Sequence, residues 1–179
     1  MKMSTLVTEK IKSHGSEDNT PFFINRDGTW LYHGSQIRRK SLIKLFASIL
    51  VREKDGTFWL VTPVERVAVS VVDAPFVIVN ANRIGTGTEQ TLCLQTNIDE
   101  ELTVGPEHPI YVKTNPDTGE PSPYVKLRNG LTALIARTVF YDLVLWSEQD
   151  SDNGECFVRS KNQKFILGEI DNDHRLNNA

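Results

Sequence analysis

Arg39 and Arg128 are the residues whose type and position first suggest chemistry. Each stands just before, or in the first turn of, a segment whose apolar spacing predicts a helix. A helix N-terminus leaves backbone N–H groups without partners and favours negative charge. An arginine beside it can grip a phosphate or carboxylate through two parallel hydrogen bonds. The competing account is an internal ion pair or plain solvation, and Arg38 and Lys40 read as part of a solvated basic face. Asp142 is the second candidate, because it interrupts the apolar run Val139-Phe140-Tyr141-Asp142-Leu143-Val144-Leu145-Trp146. A buried carboxylate needs hydrogen bonds or a cation, which Arg128 or Arg137 could supply. A structural ion pair or a position facing water is the expected outcome.

Familiar catalytic patterns fail one by one. Gly85-Thr86-Gly87 opens like a dinucleotide fingerprint, but Gln90 stands where the third glycine belongs and strands are expected on both sides. The fingerprint requires a helix after its glycines. Asp117-Thr118-Gly119 spells an aspartic-protease triplet inside a turn flanked by Asn-Pro and Glu-Pro. No P-loop lysine follows any glycine run. His14, His33, His108 and His174 are scattered, with no pair at metal-ligand spacing on one element. Cys93 reads as a small packing residue, and two cysteines in all favour a reducing, cytoplasmic compartment. No catalytic residue, metal or cofactor is therefore expected. Trp30, Tyr32, Phe58, Trp59 and Tyr124 could stack on a base, although aromatic residues in strands more often fill a core.

The chain of 179 residues is 39% hydrophobic and 24% charged, with 20 basic against 23 acidic side chains. That length fits one large domain or two small ones, with enough apolar surface for a core. No run approaches the ~18 apolar residues of a membrane-spanning helix. The first ten residues lack the apolar segment of a secretory signal. The near-balanced charge gives no field for capturing nucleic acid. Neither membrane insertion nor nucleic-acid binding is expected.

The elements that must position the candidates follow from periodicity. Residues 22–24 and 29–32 read as a hairpin turning at Asp27-Gly28. Leu42, Leu45, Phe46, Ile49 and Leu50 form one apolar stripe at helical spacing, starting somewhere between Ser35 and Ser41. The period then changes to two. Strands are expected over residues 57–62 and 64–72, a hairpin over 76–84 and 90–96, and short strands near 102–104, 110–113 and 124–127. Residues 131–136 read as a short helix and 139–146 as a long strand, with final strands at 156–159 and 165–167.

A shift of 89 residues aligns the two expected helices: Arg39 with Arg128, Leu42 with Leu131, Leu45 with Leu134, Ala47 with Ala136. Such self-similarity suggests a duplication, and clefts between duplicated units commonly hold ligands.

Six short stretches occur in an order that resembles a known family. They are Asp27-Gly28-Thr29-Trp30, Leu60-Val61-Thr62-Pro63-Val64-Glu65, Asp73-Ala74-Pro75-Phe76, Pro121-Ser122-Pro123-Tyr124, residues 131–137, and Tyr141-Asp142-Leu143-Val144. Together they are similar to the bacterial domain-of-unknown-function family 1285, from about Phe22 to Leu167. The resemblance implies a duplicated α+β arrangement and a C-terminal part that is superficially pleckstrin-homology-like. It also implies a site at the domain interface for a nucleotide-like ligand, with a role in signal transduction. In or beside these stretches lie Arg39, Thr62, Glu65, Tyr124, Arg128 and Tyr141. As ligand-binding candidates, the arginines would hold phosphate, Tyr124 would stack on a base, and Thr62 and Glu65 would hydrogen-bond ring or ribose groups.

The expected fold is strand-rich α+β, in two repeated units of antiparallel strands that each carry one helix. The expected layout is a flexible tail over 1–19, an N-terminal domain over 20–74, a C-terminal pleckstrin-homology-like domain over 75–170 and a flexible tail over 171–179. The expected function is non-catalytic binding of a small anionic ligand between the domains, with a leaning away from an enzyme. A protein- or peptide-binding adaptor is the alternative partner reading, followed by a hydrolase or transferase with an unrecognised site.

Overall fold

The computed structural model describes residues 20–169; the tails expected at either end lie outside the described residues. The first unit opens with strands β1 (Phe22–Ile24), β2 (Trp30–Tyr32) and β3 (Ser35–Gln36). Helix α1 (Lys40–Ser48) follows, and the chain returns through β4 (Leu50–Arg52), β5 (Phe58–Val61) and β6 (Arg66–Val71). The expected hairpin turn is present. Gly28 takes φ +81°, and Asp27 Oδ1 accepts the Thr29 N–H at 2.9 Å. Ala47 is the buried residue of α1, with Ile43 and Phe46 packed against the core beside it, while Leu45 of the expected stripe faces solvent.

The second unit contains β7 (Phe76–Ile84), β8 (Thr91–Thr96), β9 (Glu101–Thr103), β10 (Ile110–Thr114), β11 (Pro121–Lys126) and β12 (Thr132–Ile135). Helix α2 (Arg137–Leu145) comes after them, then a separate three-stranded sheet of β13 (Glu148–Gln149), β14 (Glu155–Ser160) and β15 (Gln163–Glu169). Along β8, Leu92, Leu94 and Thr96 are buried and the residues between them half-buried, the alternation of a strand with one face on a core.

The two large sheets share one topology. Their orders are β3-β2-β1-β6-β5-β4 and β10-β11-β12-β7-β8-β9. In each, three strands step from the centre to one edge and the next three step from the other edge back to the centre. The first and sixth strands then pair in parallel, β1 with β6 and β7 with β12, while the other neighbours are antiparallel. This is a duplicated α+β layout with one helix in each unit. The helices are not equivalent, however. Helix α1 lies between the third and fourth strands, and α2 follows the sixth.

That arrangement corrects the residue-level alignment. Residues 131–136 are not a helix; β12 occupies Thr132–Ile135. The run 139–146 is not a strand; it lies almost wholly in α2. The 89-residue shift therefore sets α1 against β12, which are unrelated positions. Val139 and Leu143 are the buried residues of α2 and Trp146 packs partly against the core, which is i, i+4, i+7 spacing. Asp142 falls on the outer face of α2 and is exposed, so it needs no buried partner.

The units are joined by the turn at residues 96–100, between β8 and β9. Within it, Thr96 N–H donates to the Glu100 C=O at 2.9 Å and Thr96 Oγ1 accepts the Glu100 N–H at 3.0 Å. Its side chains reach into the first unit. Asn97 Nδ2 donates to the Gly28 C=O at 3.3 Å while Asn97 Oδ1 accepts the Val77 N–H at 3.1 Å. Asp99 takes Lys40 Nζ at 2.8 Å and Lys44 Nζ at 3.1 Å from α1. Glu100 pairs with Arg128, whose Nη2 donates to the Ala47 C=O at 3.2 Å. Behind these contacts one hydrophobic cluster runs through both units, from Ile24, Trp30 and Leu60 to Phe76, Leu94 and Leu131.

Two outcomes are expected. A Cβ on Gly28 would stand 2.5 Å from Asn97 Nδ2 and 3.2 Å from Val77 Cγ2, whereas one on Gly34, also at positive φ, meets nothing within 4 Å. Asn97 cannot retreat without losing both of its hydrogen bonds. Each is worth about 1 kcal/mol, so Gly28→Ala should lower the melting temperature about 4–8 °C more than Gly34→Ala in thermal unfolding. Equal losses would remove the turn from its joining role. Second, the hydrogen bond from Lys40, then that from Lys44, holds the Asp99 carboxyl below its ordinary range. A depressed folded-state pKa gives stability that is present above the ordinary carboxylate value of about 3.9 and lost as pH falls below it. Asp99→Asn should therefore melt below the parent chain at pH 7, with the difference closing as pH falls through the depressed folded-state value.

Candidate functional site

The six candidates fall in separate places. Arg39 occupies the N-cap position of α1 and is exposed, as its sequence position suggested. Arg128 is not at a helix start. It lies in the short 3-10 turn Arg128–Gly130 and is engaged by Glu100 and the Ala47 C=O. The two arginines thus meet opposite ends of α1, about 12 Å apart along the axis at 1.5 Å per residue. Thr62 and Glu65 close the turn between β5 and β6. Thr62 N–H donates to the Glu65 C=O at 2.9 Å, and Thr62 Oγ1 accepts the Glu65 N–H at 3.1 Å. Both residues line a groove in the first unit, away from the seam.

Tyr124 and Tyr141 lie on the seam between the units. Tyr124 is buried, its ring stacked on Tyr111 at 5.5 Å with Lys113 Nζ 5.1 Å above it. Its hydroxyl donates to the Asp73 carboxylate at 2.9 Å. Burial first, then the hydrogen bond to Asp73 and its charge, push the Tyr124 phenol up to about 12. Ring and hydroxyl are both in use, so Tyr124 forms a wall of the seam and does not offer a free stacking face. Tyr141, on α2, is 56% exposed.

Around these tyrosines the seam opens into two adjoining clefts that share Arg26 and Ser122. One, of about 350 Å³, is lined by Asp73, Lys113, Asn115 and Tyr124 among others. The other, of about 550 Å³, runs from Asp27 to Arg137, Phe140 and Tyr141. Arg26 comes from the β1–β2 turn of the first unit. Its Nε pairs with Asp73 at 3.2 Å and its Nη2 donates to Ser122 Oγ at 3.3 Å. Arg137 is the first residue of α2 and pairs with Glu120; their side chains are 70% and 60% exposed. Exposed pairs of this kind are worth about 0–1 kcal/mol, so a competing anion can displace the carboxylate.

The N-terminus of α2 opens on the larger cleft. Ala136 caps it without a side-chain hydrogen bond, and the first turn holds no acidic residue. The helical ladder starts with Phe140 N–H to the Ala136 C=O at 2.9 Å, leaving the N–H groups of residues 137–139 ahead of it. The anion-favouring helix start that the sequence placed at Arg128 is therefore at Arg137. Arg137 entered the sequence reading only as a partner for Asp142. Arg26 was missed altogether, because nothing local in the sequence tells that the β1–β2 turn meets β11. Among the described residues no group of three or more His, Cys, Asp or Glu could hold a metal ion. No helix of the described residues is long and apolar enough to cross a membrane.

Comparison with known proteins follows the same two units. The family model described as "Domain of unknown function (DUF1285), N-terminal domain" matches residues 14–74. The one described as "Protein of unknown function (DUF1285), C-terminal domain" matches residues 75–167. A solved DUF1285 family protein from Silicibacter pomeroyi DSS-3 is 41% identical over 88% of this chain and 84% of its own, with a TM-score of 0.79. One from Shewanella baltica OS155 is 34% identical over 70% of this chain and 91% of its own, with a TM-score of 0.56. No curated protein matches the chain.

The raised Tyr124 phenol gives a direct check. A group whose folded-state pKa is raised contributes stability that is complete below its ordinary value of about 10 and lost as pH rises through the folded value. In an alkaline spectrophotometric titration, one tyrosine should ionise near pH 12. Asp73→Asn should bring that transition down, because it removes the carboxylate's charge from beside the phenol. An unchanged late transition would separate Tyr124 from Asp73.

Proposed function

This chain belongs to the DUF1285 family, and we propose that it is a non-catalytic binding protein that takes a small anionic, nucleotide-like ligand in the cleft between its two units. The observation that carries this reading is the pairing of Arg26 with the α2 N-terminus. The cleft holds an arginine from each unit, Arg26 and Arg137, at a helix start that has neither a side-chain cap nor an acidic residue in its first turn. Phosphate or carboxylate would replace Glu120 on Arg137 and accept from the N–H groups of residues 137–139. Tyr141 offers an exposed ring beside them for a planar group. Because residues of both units line the cleft, occupancy would fix their relative orientation, and that orientation is what a partner in a signalling process would read.

Tyr141, Val144 and Leu145, all exposed at i, i+3 and i+4 on α2, favour the adaptor reading instead. The test separates the two. The full chain is titrated with inorganic phosphate and with nucleoside mono- and diphosphates, with thermal unfolding and calorimetry as readouts. A ligand at ~100 times its dissociation constant should add about 2.7 kcal/mol, raising the melting temperature by about 5–10 °C. Arg137→Gln breaks only an exposed pair, so the free protein should melt as before, while affinity falls about 10–100-fold with the lost charge-assisted hydrogen bonds. No response to any of these anions, or an equal response in Arg137→Gln, would overturn the reading and leave the α2 face as the better site.

A further inference from the structure

A groove in the first unit, between α1 and its sheet, shares no lining residue with the two clefts at the seam. Its volume of about 690 Å³ lies within the range of small-ligand sites. Leu42 and Phe46 of α1 form one wall, and Phe22, Leu60 and Val67 of the sheet form the other. One end is aromatic. The Phe22 ring centroid lies 4.9 Å from that of Tyr32 and 4.9 Å from that of Phe46.

The other end is acidic. Glu65 is the only carboxylate of the lining, and no lysine or arginine joins it there. The turn between β5 and β6 uses only the backbone of Glu65: its N–H donates to Thr62 Oγ1 at 3.1 Å and its C=O accepts the Thr62 N–H at 2.9 Å. The Glu65 side chain is exposed, and its carboxylate has no hydrogen-bond or ion-pair partner among the described residues. The sheet sets the two ends apart. Phe22 stands opposite Val69, four residues beyond Glu65, so the ends are separated by roughly 13 Å along the strand.

We propose that this groove is a binding site for an apolar amine, an elongated small molecule with its hydrophobic body on the aromatic end and its protonated nitrogen at Glu65. Burial of the body against Phe22, Phe46 and Leu60 supplies the affinity. The carboxylate supplies the preference for a cation, because an anion would meet its charge with no lysine or arginine to offset it. The ligand is thus opposite in charge to the one proposed for the seam, and the two sites are independent.

The test is methyl NMR of the full chain, titrated with octylamine, octanol and octanoate at about pH 7.5, where an amine is protonated as a lysine side chain is. The three probes share one hydrocarbon tail and differ in charge. Signals of Leu42, Leu60 and Val67 should move and saturate with octylammonium, while those of Leu92 and Leu94 in the second unit stay in place. Octylammonium should bind about fivefold more tightly than octanol, the upper end for an exposed ion pair, and octanoate more weakly than either. Glu65→Gln keeps the backbone turn, so its melting temperature should match the parent's. It should erase the preference for the amine and leave octanol binding unchanged. Equal affinity for all three probes, an undiminished preference in Glu65→Gln, or groove signals that move with none of them would overturn the proposal.

Discussion

The turn at residues 96–100 is the constraint on which the rest of the molecule depends. Three of its side chains serve the seam: Asn97 reaches the Gly28 carbonyl and Asp99 the lysines of α1, while Glu100 holds Arg128 of the second unit, whose guanidinium meets the end of α1. Exposed ion pairs contribute little singly. The amide of Asn97 is different, because it is half-buried and uses its oxygen and nitrogen on two units at once. Gly28 leaves room for it by lacking a side chain. The polar contacts therefore set the register between the units, while the hydrophobic cluster running through both supplies most of the stabilisation.

With that register fixed, the other side of the seam follows. The β1–β2 turn that presents Gly28 to Asn97 also presents Arg26 to Asp73 and Ser122. Asp73 in turn takes the Tyr124 hydroxyl, and Tyr124 stacks on Tyr111 under Lys113. The cleft beside Arg137 and Tyr141 is the space these contacts leave open. A shift at the turn would move Arg26 relative to α2, so the geometry of the cleft is a property of the seam and not of either unit.

Much of this fold was legible from periodicity. The alternation around Cys93 marked a strand, and the Asp27-Gly28 turn was found in place; α1 was found too, but its stripe holds only in part, since Leu45 faces solvent and Leu50 opens β4. The exchange of helix and strand after Leu131 shows where periodicity stops. Leu131, Leu134 and Ile135 fit a helix at i, i+3, i+4, yet six residues cannot separate that from a strand. Val139, Phe140 and Tyr141 carry strand propensity, which the packing of Val139 and Leu143 overrode. The duplication was read from a chance match between α1 and β12; its real signature is strand order, which no single-strand pattern contains. The site was legible to the extent that short stretches carried it. Tyr124 and Tyr141 lie on the seam, whereas Arg26 becomes a site residue only when it meets Ser122, far along the chain.

The central claim is that one turn and one continuous core make two sheets into a single body. Native-state hydrogen exchange of the full chain, followed by amide across increasing denaturant, tests it most directly. Strands β2 and β5 of the first unit and β8 and β12 of the second should open with the same free energy, because neither unit keeps its core when the other unfolds. Opening energies that differ between the two units by more than about 1 kcal/mol, with separate denaturant dependences, would mean that they unfold independently and would contradict the account.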